Sequence, residues 1–394
     1  MTLTNADINQ EHMITIVLKR PLHNNGMTLF QYADAVIAKT QPILTHDEFI
    51  QHFGAESNTM QTVLDWAANN QLSVIESHNG CATIKVVGNI GQFNNLFNIT
   101  LLTATDTDRT YITHDGAHVV PSTINNSVEF VLGLDNKNIF KPKYKIHDSS
   151  VPVPEIYYSN PVTPPQVATA YQLPAGDGTG GCIGLLEMTY SGYVAGYNTS
   201  DVNQSFSRLG LSPPMIVSYP VDGASISPTS DLESMLDIYC AGGVVPNATM
   251  VYYCGPNSDQ GFYDIIMACA NDTVNNPTAL GISWGQTEST GFLESALATC
   301  VTKGIACFCS AGDDGASNLV PDYPASSPYS ISAGGTNIGI NVDGTLAGEN
   351  AWTGSGSGAT GGGESSIFTL PSWQNGISVK YTTGTTSTPT TRSY

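Results

Sequence analysis

The sequence predicts an α/β protein in which a parallel sheet with helices on both faces is preceded by a smaller α+β domain. Its 394 residues suffice for about two or three domains, since one domain usually has ~100–200 residues. Near residue 166 the pattern changes from mixed strands and helices to a regular alternation of the two. The strands after that point are short apolar runs, which is typical of strands buried on both faces of a sheet.

The first domain, predicted to span residues 1–136, has the pattern of a small α+β unit. Strands are predicted at residues 13–18, 73–76 and 81–87, and helices at residues 45–53, 59–70 and 90–97. Thr45 followed by Glu48 is a capping-box pattern, which supports a helix start at that point.

The second domain, predicted to span residues 166–394, alternates apolar runs with helical patterns. Strands are predicted at residues 182–188, 215–219, 249–253, 280–284, 305–310 and 329–333, and helices near 199–209, 231–242, 260–270 and 291–302. After residue 335 the chain is rich in Gly, Ser and Thr, and no helix is predicted there. Buried strands separated by helices indicate a parallel sheet.

Residues 137–165 are interpreted as a linker between the two domains. Lys137, Lys141, Lys143 and Lys145 cluster in it, and a Pro-rich stretch follows. Such a composition favours an exposed segment that a protease can reach, so the linker is a candidate for maturation cleavage. An ordinary interdomain connector has the same composition, and both interpretations stay open.

The formal net charge of −20 is unevenly distributed, and so is histidine. Residues 151–394 contain 4 basic and 19 acidic residues, whereas all 8 histidines lie within residues 1–150. So acidic a surface repels a phosphate backbone, which argues against nucleic acid as a partner. A histidine-free segment cannot hold a Ser-His-Asp site, a Cys-His site or a His-ligated zinc. Hydrolytic chemistry in the second domain must therefore use carboxylates.

Targeting signals and cysteine motifs are absent from the sequence pattern. No segment has the pattern of a signal peptide or of a membrane-spanning helix. Most of the 8 cysteines lie in apolar runs without a C-x-x-C pair, so they are interpreted as buried hydrophobic residues. The location stays open between an acidic compartment, the outside of the cell and a particle.

Two carboxylates in the predicted helix 231–242 form the first candidate site. Glu233 and Asp237 are four residues apart, so their side chains share a helix face within about 6 Å. Like charges at this spacing cost stability, and the flanking Leu236 and Ile238 are apolar. A solvated acidic helix face explains the same pattern, and spacing alone favours that explanation.

Two further candidate sites lie where predicted strands end. Asp313 belongs to a Gly-flanked acidic turn after strand 305–310, and ligands of parallel sheets bind beyond the C-terminal strand ends. Ser283-Trp-Gly285 ends strand 280–284 in a similar way. A plain turn and a packed core tryptophan explain these two patterns equally well. The glycines of residues 176–181 precede a strand, so they are interpreted as a turn and not as a phosphate loop.

Taken in order, these motifs resemble those of the sedolisins, a family of serine-carboxyl peptidases. The matching motifs are Glu233-x-x-x-Asp237, Ser283-Trp-Gly285, Ser310-Ala-Gly-Asp313, Ser332-Ala-Gly-Gly-Thr336, Gly361-Gly-Gly-Glu-Ser365 and Pro371-Ser-Trp-Gln374. Residues 44–54 and 129–135 resemble parts of the family's prodomain, and the resemblance extends over about residues 14–394. It implies a subtilisin-like fold for the second domain and a ferredoxin-like fold for the prodomain.

The resemblance implies an acid-acting endopeptidase proenzyme that cleaves peptides or proteins and is inhibited by its own prodomain. Glu233 would be the general base towards a serine nucleophile, and Asp237 would orient it and share a proton with it. Asp313 would stabilise the oxyanion, which requires a protonated carboxyl group. The chemistry agrees with an acidic working pH, because a glutamate still acts as a base below about pH 5, where histidine is protonated.

The resemblance also covers the surroundings of these acids. Glu187 and Trp284 match positions that extend the carboxylate network in the family. Ser283 and Gly285 match substrate-binding positions.

The nucleophile is the main departure from the family pattern. The family's serine lies in a Ser-Gly-Thr-Ser-x-x-x-Pro motif after the Trp-Gln element, and no stretch of this sequence matches that motif. Residues 384–389 resemble it but come too early, so Ser387 is not interpreted as the nucleophile. We therefore expect the serine outside this chain, which would be inactive without it. The family's calcium site would lie in the same absent part, so no metal or cofactor is predicted here, and a separate C-terminal fragment is a candidate partner.

Two hypotheses about function follow. In the first, the chain is a sedolisin proenzyme whose C-terminal portion is missing from the sequence or separated by cleavage. In the second, it is a catalytically inactive, sedolisin-like structural or binding protein. A smaller hypothesis concerns the histidines: if some are buried against the second domain, their protonation below about pH 6.5 would loosen the prodomain. Exposed histidines without such a role are an equal alternative.

Overall fold

A computed structural model describes residues 1–105, 109–137, 140–144, 162–190, 192–288, 291–316, 321–354, 358–380 and 386–393. The N-terminal domain has two sheets and four helices among these residues. Its strands are β1 (Thr2–Asn5), β2 (Glu11–Leu18), β3 (Ser73–His78), β4 (Thr83–Asn89), β5 (Thr100–Thr105), β6 (Thr110–Asp115) and β7 (Val128–Leu132). Its helices are α1 (Leu29–Ile37), α2 (His46–Phe53), α3 (Ser57–Asn69) and α4 (Ile90–Phe97).

The larger sheet of this domain has the antiparallel strand order β3-β4-β2-β7, which is the ferredoxin-like order. Its buried face packs on α3 and α4 through Ile14, Ile84 and Phe93. Three helices begin at capping boxes, and the predicted box of Thr45 and Glu48 is one of them. The α+β prediction for this domain is confirmed, while helix α1 and the hairpin β5–β6 were not predicted.

A short strand, β8 (Lys141–Pro142), connects the two domains, and the rest of the predicted linker between residues 145 and 161 lies outside the described residues. The C-terminal domain then continues with α5 (Pro164–Ala170), β9 (Cys182–Thr189), α6 (Thr199–Leu209), β10 (Met215–Pro220), α7 (Leu232–Val244), β11 (Thr249–Pro256), α8 (Asp259–Asn271), β12 (Ala279–Ile282), β13 (Trp284–Thr287), α9 (Glu294–Thr302), β14 (Ala306–Ser310), β15 (Asp322–Tyr323) and β16 (Ile331–Ala333). The predicted linker extends to residue 165 and so includes the first two residues of α5, which are prolines; a helix tolerates proline in its first turn.

The last segment consists of short antiparallel strand pairs. They are β17 (Thr336–Ile340), β18 (Leu346–Ala351), β19 (Thr353–Gly354), β20 (Gly358–Ala359), β21 (Glu364–Thr369), β22 (Val379–Lys380), β23 (Thr386–Ser387) and β24 (Thr391–Ser393), with one 3₁₀ turn at Ser372–Gln374. None of the helices in the described ranges is long and apolar enough to cross a bilayer.

The central sheet of the C-terminal domain is parallel, in the order β10-β11-β9-β12-β14-β16. Helices α8 and α9 cover one face, where they pack on β9, β12 and β14 through residues such as Leu186, Ile282 and Cys309. Helices α6 and α7 cover the other face over β9 and β11, around Leu185 and Tyr252. This arrangement confirms the predicted parallel sheet with helices on both faces.

One half of the second face is uncovered by the described residues. Leu185, Gly281, Phe308 and Ile331 lie side by side across β9, β12, β14 and β16, so their side chains share a face. Leu185 is buried under the α6–α7 layer, whereas Phe308 is 44% exposed and Ile331 is 48% exposed. An apolar row that is buried at one end and exposed at the other is an incomplete helix–sheet layer.

The predicted strand 280–284 is wrong in its extent. Ser283 separates β12, which belongs to the parallel sheet, from β13, which leaves it. Strand β13 instead pairs antiparallel with β8 on one side and with β15 on the other. A continuous apolar run therefore contains a change of direction that depends on partners far away in the sequence.

The two domains pack against each other through α8 and α9. Leu132 and Val17 of the N-terminal sheet share a core with residues of α8. The Lys85 ammonium lies between three acids, 3.2 Å from Glu76 Oε2, 3.3 Å from Asp264 Oδ2 and in contact with Asp222. The side chains of Lys85 and the two aspartates are buried while Glu76 is exposed, and the cluster joins the domains because Lys85 belongs to β4 and both aspartates belong to the C-terminal domain.

One histidine also lies at this interface. His46 Nδ1 is 2.9 Å from Lys303 Nζ at the end of α9. The lysine ammonium is a donor only, so His46 must be neutral at Nδ1 to accept from it. Burial first, and then the charge of Lys303, lowers the pKa of His46. The contact is the arrangement that the histidine hypothesis requires, and loosening by protonation stays a prediction.

Candidate active site

The structure brings the predicted acids together at the carboxyl end of the central strands. Glu187 lies near the end of β9 and is fully buried. Glu233 and Asp237 project one turn apart from α7, and Glu233 is only 3% exposed. Asp231 caps the helix by accepting a bond from the Ser234 N–H, which fixes where the first turn begins. The pair therefore does not form the solvated acidic face that spacing alone favoured.

Ser283 and Trp284 supply donors to these acids because the chain changes direction between β12 and β13. The Ser283 hydroxyl donates to Oδ1 of Asp237 at 2.8 Å. The Trp284 indole Nε1–H donates to Oε2 of Glu187 at 2.9 Å. Trp284 is 1% exposed, so this bond is shielded from water. The predicted Trp284 thus has a polar function in the carboxylate cluster in addition to its packing.

Each acid keeps one buried oxygen that has no hydrogen-bond partner among the residues that the structure describes. These atoms are Oε1 of Glu187, Oε2 of Glu233 and Oδ2 of Asp237. Leaving a buried acceptor unsatisfied costs about 1–3 kcal/mol, and more for an ionised group. Three such atoms in one cluster indicate a site built to bind a hydroxyl or a proton rather than a structural network.

Burial and mutual repulsion shift the acids towards their protonated forms. Burial raises the pKa of Glu233 to about 8, and the charge of Asp237 adds to the rise. Burial also raises the pKa of Asp237 to about 6, while its bond from Ser283 opposes the rise. Burial and the charge of Asp237 hold the pKa of Glu187 well above its usual range. The cluster therefore holds protons in common, as expected for carboxyl groups in contact.

Asp313 lies on the turn after β14 and acts on the same cluster. Its negative charge contributes to the raised pKa of Glu233. The turn is held by backbone bonds to the segment around β20, since the Ala359 N–H donates to the Asp313 carbonyl at 2.9 Å. Gly312 has a φ of +98°, and a Cβ there would collide with the Asp322 carboxylate, so the sharp turn before Asp313 requires glycine.

The segment that follows the N-terminal domain runs along β13, next to this cluster. Lys141 and Pro142 are paired antiparallel with Gly285 and Trp284, and the Lys143 N–H donates to the Ser283 carbonyl at 2.8 Å. The main chain of the predicted substrate-binding residues is therefore occupied by a stretch of the same polypeptide. Adding a strand in this way is a common mode of peptide recognition.

The Lys143 side chain is largely buried and forms an ion pair with a carboxylate. Its Nζ lies 2.9 Å from Oδ2 of Asp322, and the two side chains are only 11% and 17% exposed. The next residue, Tyr144, is close enough to the buried acids to be affected by their charge, since burial and the charge of Glu233 raise the pKa of its phenol. The chain thus passes Gly285, then Ser283, and then approaches the acids.

Sequence reasoning missed several residues around the site. Tyr193 and Asp322 carry no local signal, because their contacts are with residues distant in the chain, and Asp231 carries only that of a helix cap. All of the predicted site residues Glu187, Glu233, Asp237, Ser283, Trp284 and Gly285 lie together, with Asp313 close enough to act on Glu233. The Ser387 side chain lies outside the described residues.

No metal site is evident in the part of the chain that the structure describes. It holds no group of three or more His, Cys, Asp or Glu side chains that could bind a metal ion. The expectation about calcium concerns a segment beyond these residues and stays a prediction.

Comparisons with known proteins follow the division into two domains. Residues 2–137 match the family model described as Pro-kumamolisin, activation domain, and residues 226–392 match the Subtilase family. Kumamolisin from Bacillus sp. (strain MN-32) is 30% identical over 94% of this chain and 70% of its own length. The chain belongs to the sedolisin family. It is therefore a serine-type peptidase-family chain with an N-terminal activation domain and a subtilisin-like C-terminal domain, and the predicted resemblance is confirmed.

Two other sedolisins are similar to a lesser degree. Xanthomonalisin from Xanthomonas sp. (strain T-22) is 24% identical over 85% of this chain and 48% of its own length. The structure of Pseudomonas sedolisin, a serine-carboxyl proteinase complexed with two molecules of pseudo-iodotyrostatin, is 22% identical and covers 59% of this chain and 68% of that chain, with a TM-score of 0.46.

The raised pKa values of Glu233 and Asp237 predict how the stability of the fold depends on pH. Glu233 and Asp237 bind protons more tightly in the folded chain than in the unfolded chain, so their stabilising contribution is complete below about pH 4 and is lost as pH rises through about 6 and 8. We expect the free energy of unfolding, measured with urea, to fall by roughly 2–4 kcal/mol more between pH 5 and 8 in the wild type than in the double variant Glu233→Gln, Asp237→Asn. The exposed pair Glu56→Gln, Asp65→Asn is the matched control, and equal slopes in all three proteins would contradict the proposed burial.

Proposed function

We propose that the protein is the proenzyme of an acid-acting serine-carboxyl endopeptidase, with Glu233 as general base, Asp237 as its proton-sharing partner and Asp313 at the oxyanion. The observation that carries the proposal is the buried pair of carboxyl groups, each with an unpartnered oxygen, beside main chain occupied by an extended peptide. The nucleophilic serine is proposed to lie outside residues 1–394, and these residues alone are proposed to be inactive.

The proposed reaction uses the two acids to move one proton. The serine oxygen attacks the peptide carbonyl carbon while its proton passes to the unpartnered Oε2 of Glu233. The protonated Asp313 donates to the oxygen that becomes negative, and Glu233 then gives its proton to the leaving amine as the C–N bond breaks. Water repeats the sequence on the acyl-enzyme. Asp237, held by Ser283, takes part of the negative charge or the proton at each stage.

The covered site has the wrong protonation state for this reaction at acid pH. With a pKa raised to about 8 by burial, Glu233 is protonated there and cannot accept the serine proton. Departure of residues 140–144 would admit water, and a serine hydroxyl would donate to Glu233. Both changes lower the pKa of a buried carboxyl group. The bound segment is thus proposed to inhibit by occupying the β13 edge and also by keeping the base protonated.

The uncovered half of the central sheet is a surface on which the segment that carries the serine could pack. The exposed Phe308 and Ile331 lie on the same side of the sheet as α7, which carries Glu233 and Asp237. A helix packed on them would complete the α6–α7 layer. We propose that the serine-bearing segment packs there, either as a continuation of the chain or as a separate C-terminal fragment.

The first experiment is a peptidase assay of the protein expressed from its complete reading frame. We expect cleavage of a denatured protein substrate at about pH 3–5. Glu233→Gln should reduce kcat by at least 10³-fold, because loss of the base removes the proton transfer on which the serine depends. Glu56→Gln, an exposed glutamate of the activation domain, is the control.

Two outcomes would contradict the proposal. Equal activity of the wild type and Glu233→Gln would remove Glu233 from the mechanism. A complete reading frame with no activity and no further serine motif would instead favour the structural or binding hypothesis.

The second experiment concerns the first maturation cleavage and the substrate preference. We propose that the first cleaved bond follows Lys143, because Lys143 is the last residue bonded to Ser283 before the chain reaches the acids. Acidification should release a product that begins at Tyr144, detected by N-terminal sequencing. Peptides with Lys or Arg before the cleaved bond should be preferred, since a buried charge-assisted bond to Asp322 is worth about 1.5–3 kcal/mol.

Asp322→Asn should reduce this preference by roughly 10- to 100-fold in kcat/KM while leaving cleavage of peptides with Leu at that position unchanged. Burial raises the pKa of Asp322, so the preference for Lys should grow as the pH rises from about 3 to 6. The exposed Asp343→Asn is the control. A first cut elsewhere, or a preference that Asp322→Asn does not change, would overturn this assignment.

A further inference from the structure

Asp231 stands at the start of α7 with both carboxylate oxygens fully used. Oδ1 accepts from the Ser234 N–H at 3.0 Å and from the Tyr193 hydroxyl at 2.8 Å. Oδ2 accepts from the Ser234 hydroxyl at 2.6 Å and from the Gly196 N–H at 2.7 Å. A helix cap needs only one of these four bonds. Of the other three, the bonds from Tyr193 and Gly196 tie the first turn of α7 to the loop after β9, and the bond from the Ser234 hydroxyl lies within that turn.

The donors around Asp231 belong to the walls of the site. The Tyr193 ring packs edge-to-face on Trp284, with the ring centres 5.7 Å apart, and Trp284 donates to Glu187. The fully buried Ser234 also bonds to the Tyr252 hydroxyl at 2.5 Å. Asp231 therefore joins α7, strand β9 and the start of β13 in one network, and the orientation of Glu233, two residues later, depends on it.

Asp231 also acts on the acids through its charge. It is an acceptor in all four bonds, as an ionised carboxylate is. Its negative charge contributes to the raised pKa of Glu187, of Glu233 and of Asp237. Asp231 differs from Glu187 and Glu233 in this respect, because each of those two acids has a buried oxygen without a partner among the described residues, whereas both oxygens of Asp231 accept hydrogen bonds.

We propose that Asp231 is the positioning residue of the proposed peptidase reaction: it fixes the first turn of α7 and supplies the fixed negative charge that makes the Glu233–Asp237 pair retain its proton. This inference rests on the proposed function. Within the described residues, the Asp231 carboxylate bonds to Tyr193, Gly196 and Ser234 and not to residues 140–144, so it acts through Glu233 and is not itself a catalytic residue. The consequence is a working pH range set by a residue outside the reacting set.

The test compares Asp231→Asn with Asp231→Glu, Ser234→Ala and Asp201→Asn in the protein from the complete reading frame. Asp201 is exposed on α6 and accepts from the hydroxyl of Ser230, the residue before Asp231. Asp201→Asn therefore removes one negative charge near the start of α7 and leaves the four bonds of Asp231 in place. In Asp231→Asn, kcat should fall about 10-fold or more, and the acid limb of the pH–kcat profile should move to lower pH by about half a unit to one unit. Asp231→Glu keeps the negative charge, so the acid limb of its pH–kcat profile should stay at the wild-type position.

Ser234→Ala separates geometry from charge. It removes the two bonds of the Ser234 hydroxyl, to Asp231 and to Tyr252, and keeps the carboxylate, so it should lower kcat without moving the acid limb. A limb that stays in place in Asp231→Asn, or that moves equally in Asp201→Asn, would overturn the proposal.

A readout that needs no activity keeps this inference separate from the proposed function. The pH dependence of the free energy of unfolding reports protons on Glu233 and Asp237 whether or not the protein cleaves peptides. Asp231→Asn should move the midpoint of that dependence to lower pH, and Asp201→Asn should not. An inactive wild-type protein that shows this shift would contradict the peptidase assignment and support the effect of Asp231 on the two acids. An active wild-type protein without the shift would support the peptidase assignment and contradict the proposal for Asp231.

Discussion

Repulsion between Glu233 and Asp237 is the constraint on which the site depends. Two carboxyl groups one helical turn apart and shielded from water cannot both be ionised at low cost, so the fold must hold them together and supply protons or donors. The break at Ser283 provides one donor, and the indole of Trp284 provides another to the third acid, Glu187. Fixing the start of α7 and leaving the parallel sheet after β12 are thus the two local features that create a proton-sharing cluster.

The same constraint underlies the proposed inhibition by residues 140–144. Lys141 and Pro142 add a strand to β13, and the proposed inhibition is that this segment excludes water from the acids and so stabilises their protonated forms. The activation domain is held on α8 and α9 by apolar packing and by two contacts between ionisable groups, the Lys85 ion cluster and the His46–Lys303 pair. Protonation of Asp264 and of His46 is predicted to weaken these two contacts, while a hydrated site would contain an ionised Glu233 that can act as a base. Inhibition and acid activation would then be consequences of one electrostatic arrangement.

Much of the fold could be predicted from local patterns. Helix α6 and helix α4 were predicted with their observed bounds, because capping residues and a regular apolar spacing define both. Glu233 and Asp237 were placed on one helix face from their spacing. Their burial was not, because it depends on the Trp284 side chain and on strands β9 and β13, which approach α7 only in the folded chain.

Residues whose contacts are distant in sequence were the ones missed. Nothing near Asp322 in the chain indicates that it receives Lys143, and nothing near Asp231 indicates that Tyr193 and Gly196 bond to it. Strand 280–284 was predicted as continuous because the run from Leu280 to Trp284 is largely apolar, and only the pairing of β13 with β8 and β15 separates it into two strands. Local sequence thus predicts the helices and strands, whereas contacts between distant segments determine the geometry of the candidate active site.

The most direct measurement is an isotope-edited infrared titration of the Glu233 and Asp237 carboxyl groups, assigned by difference against Glu233→Gln and Asp237→Asn. A shared, buried pair should give two coupled steps centred near pH 6 and 8 in the covered form, each altered when the other acid is replaced. Two independent steps near about pH 4, the range of exposed carboxyl groups, would contradict the proposed site.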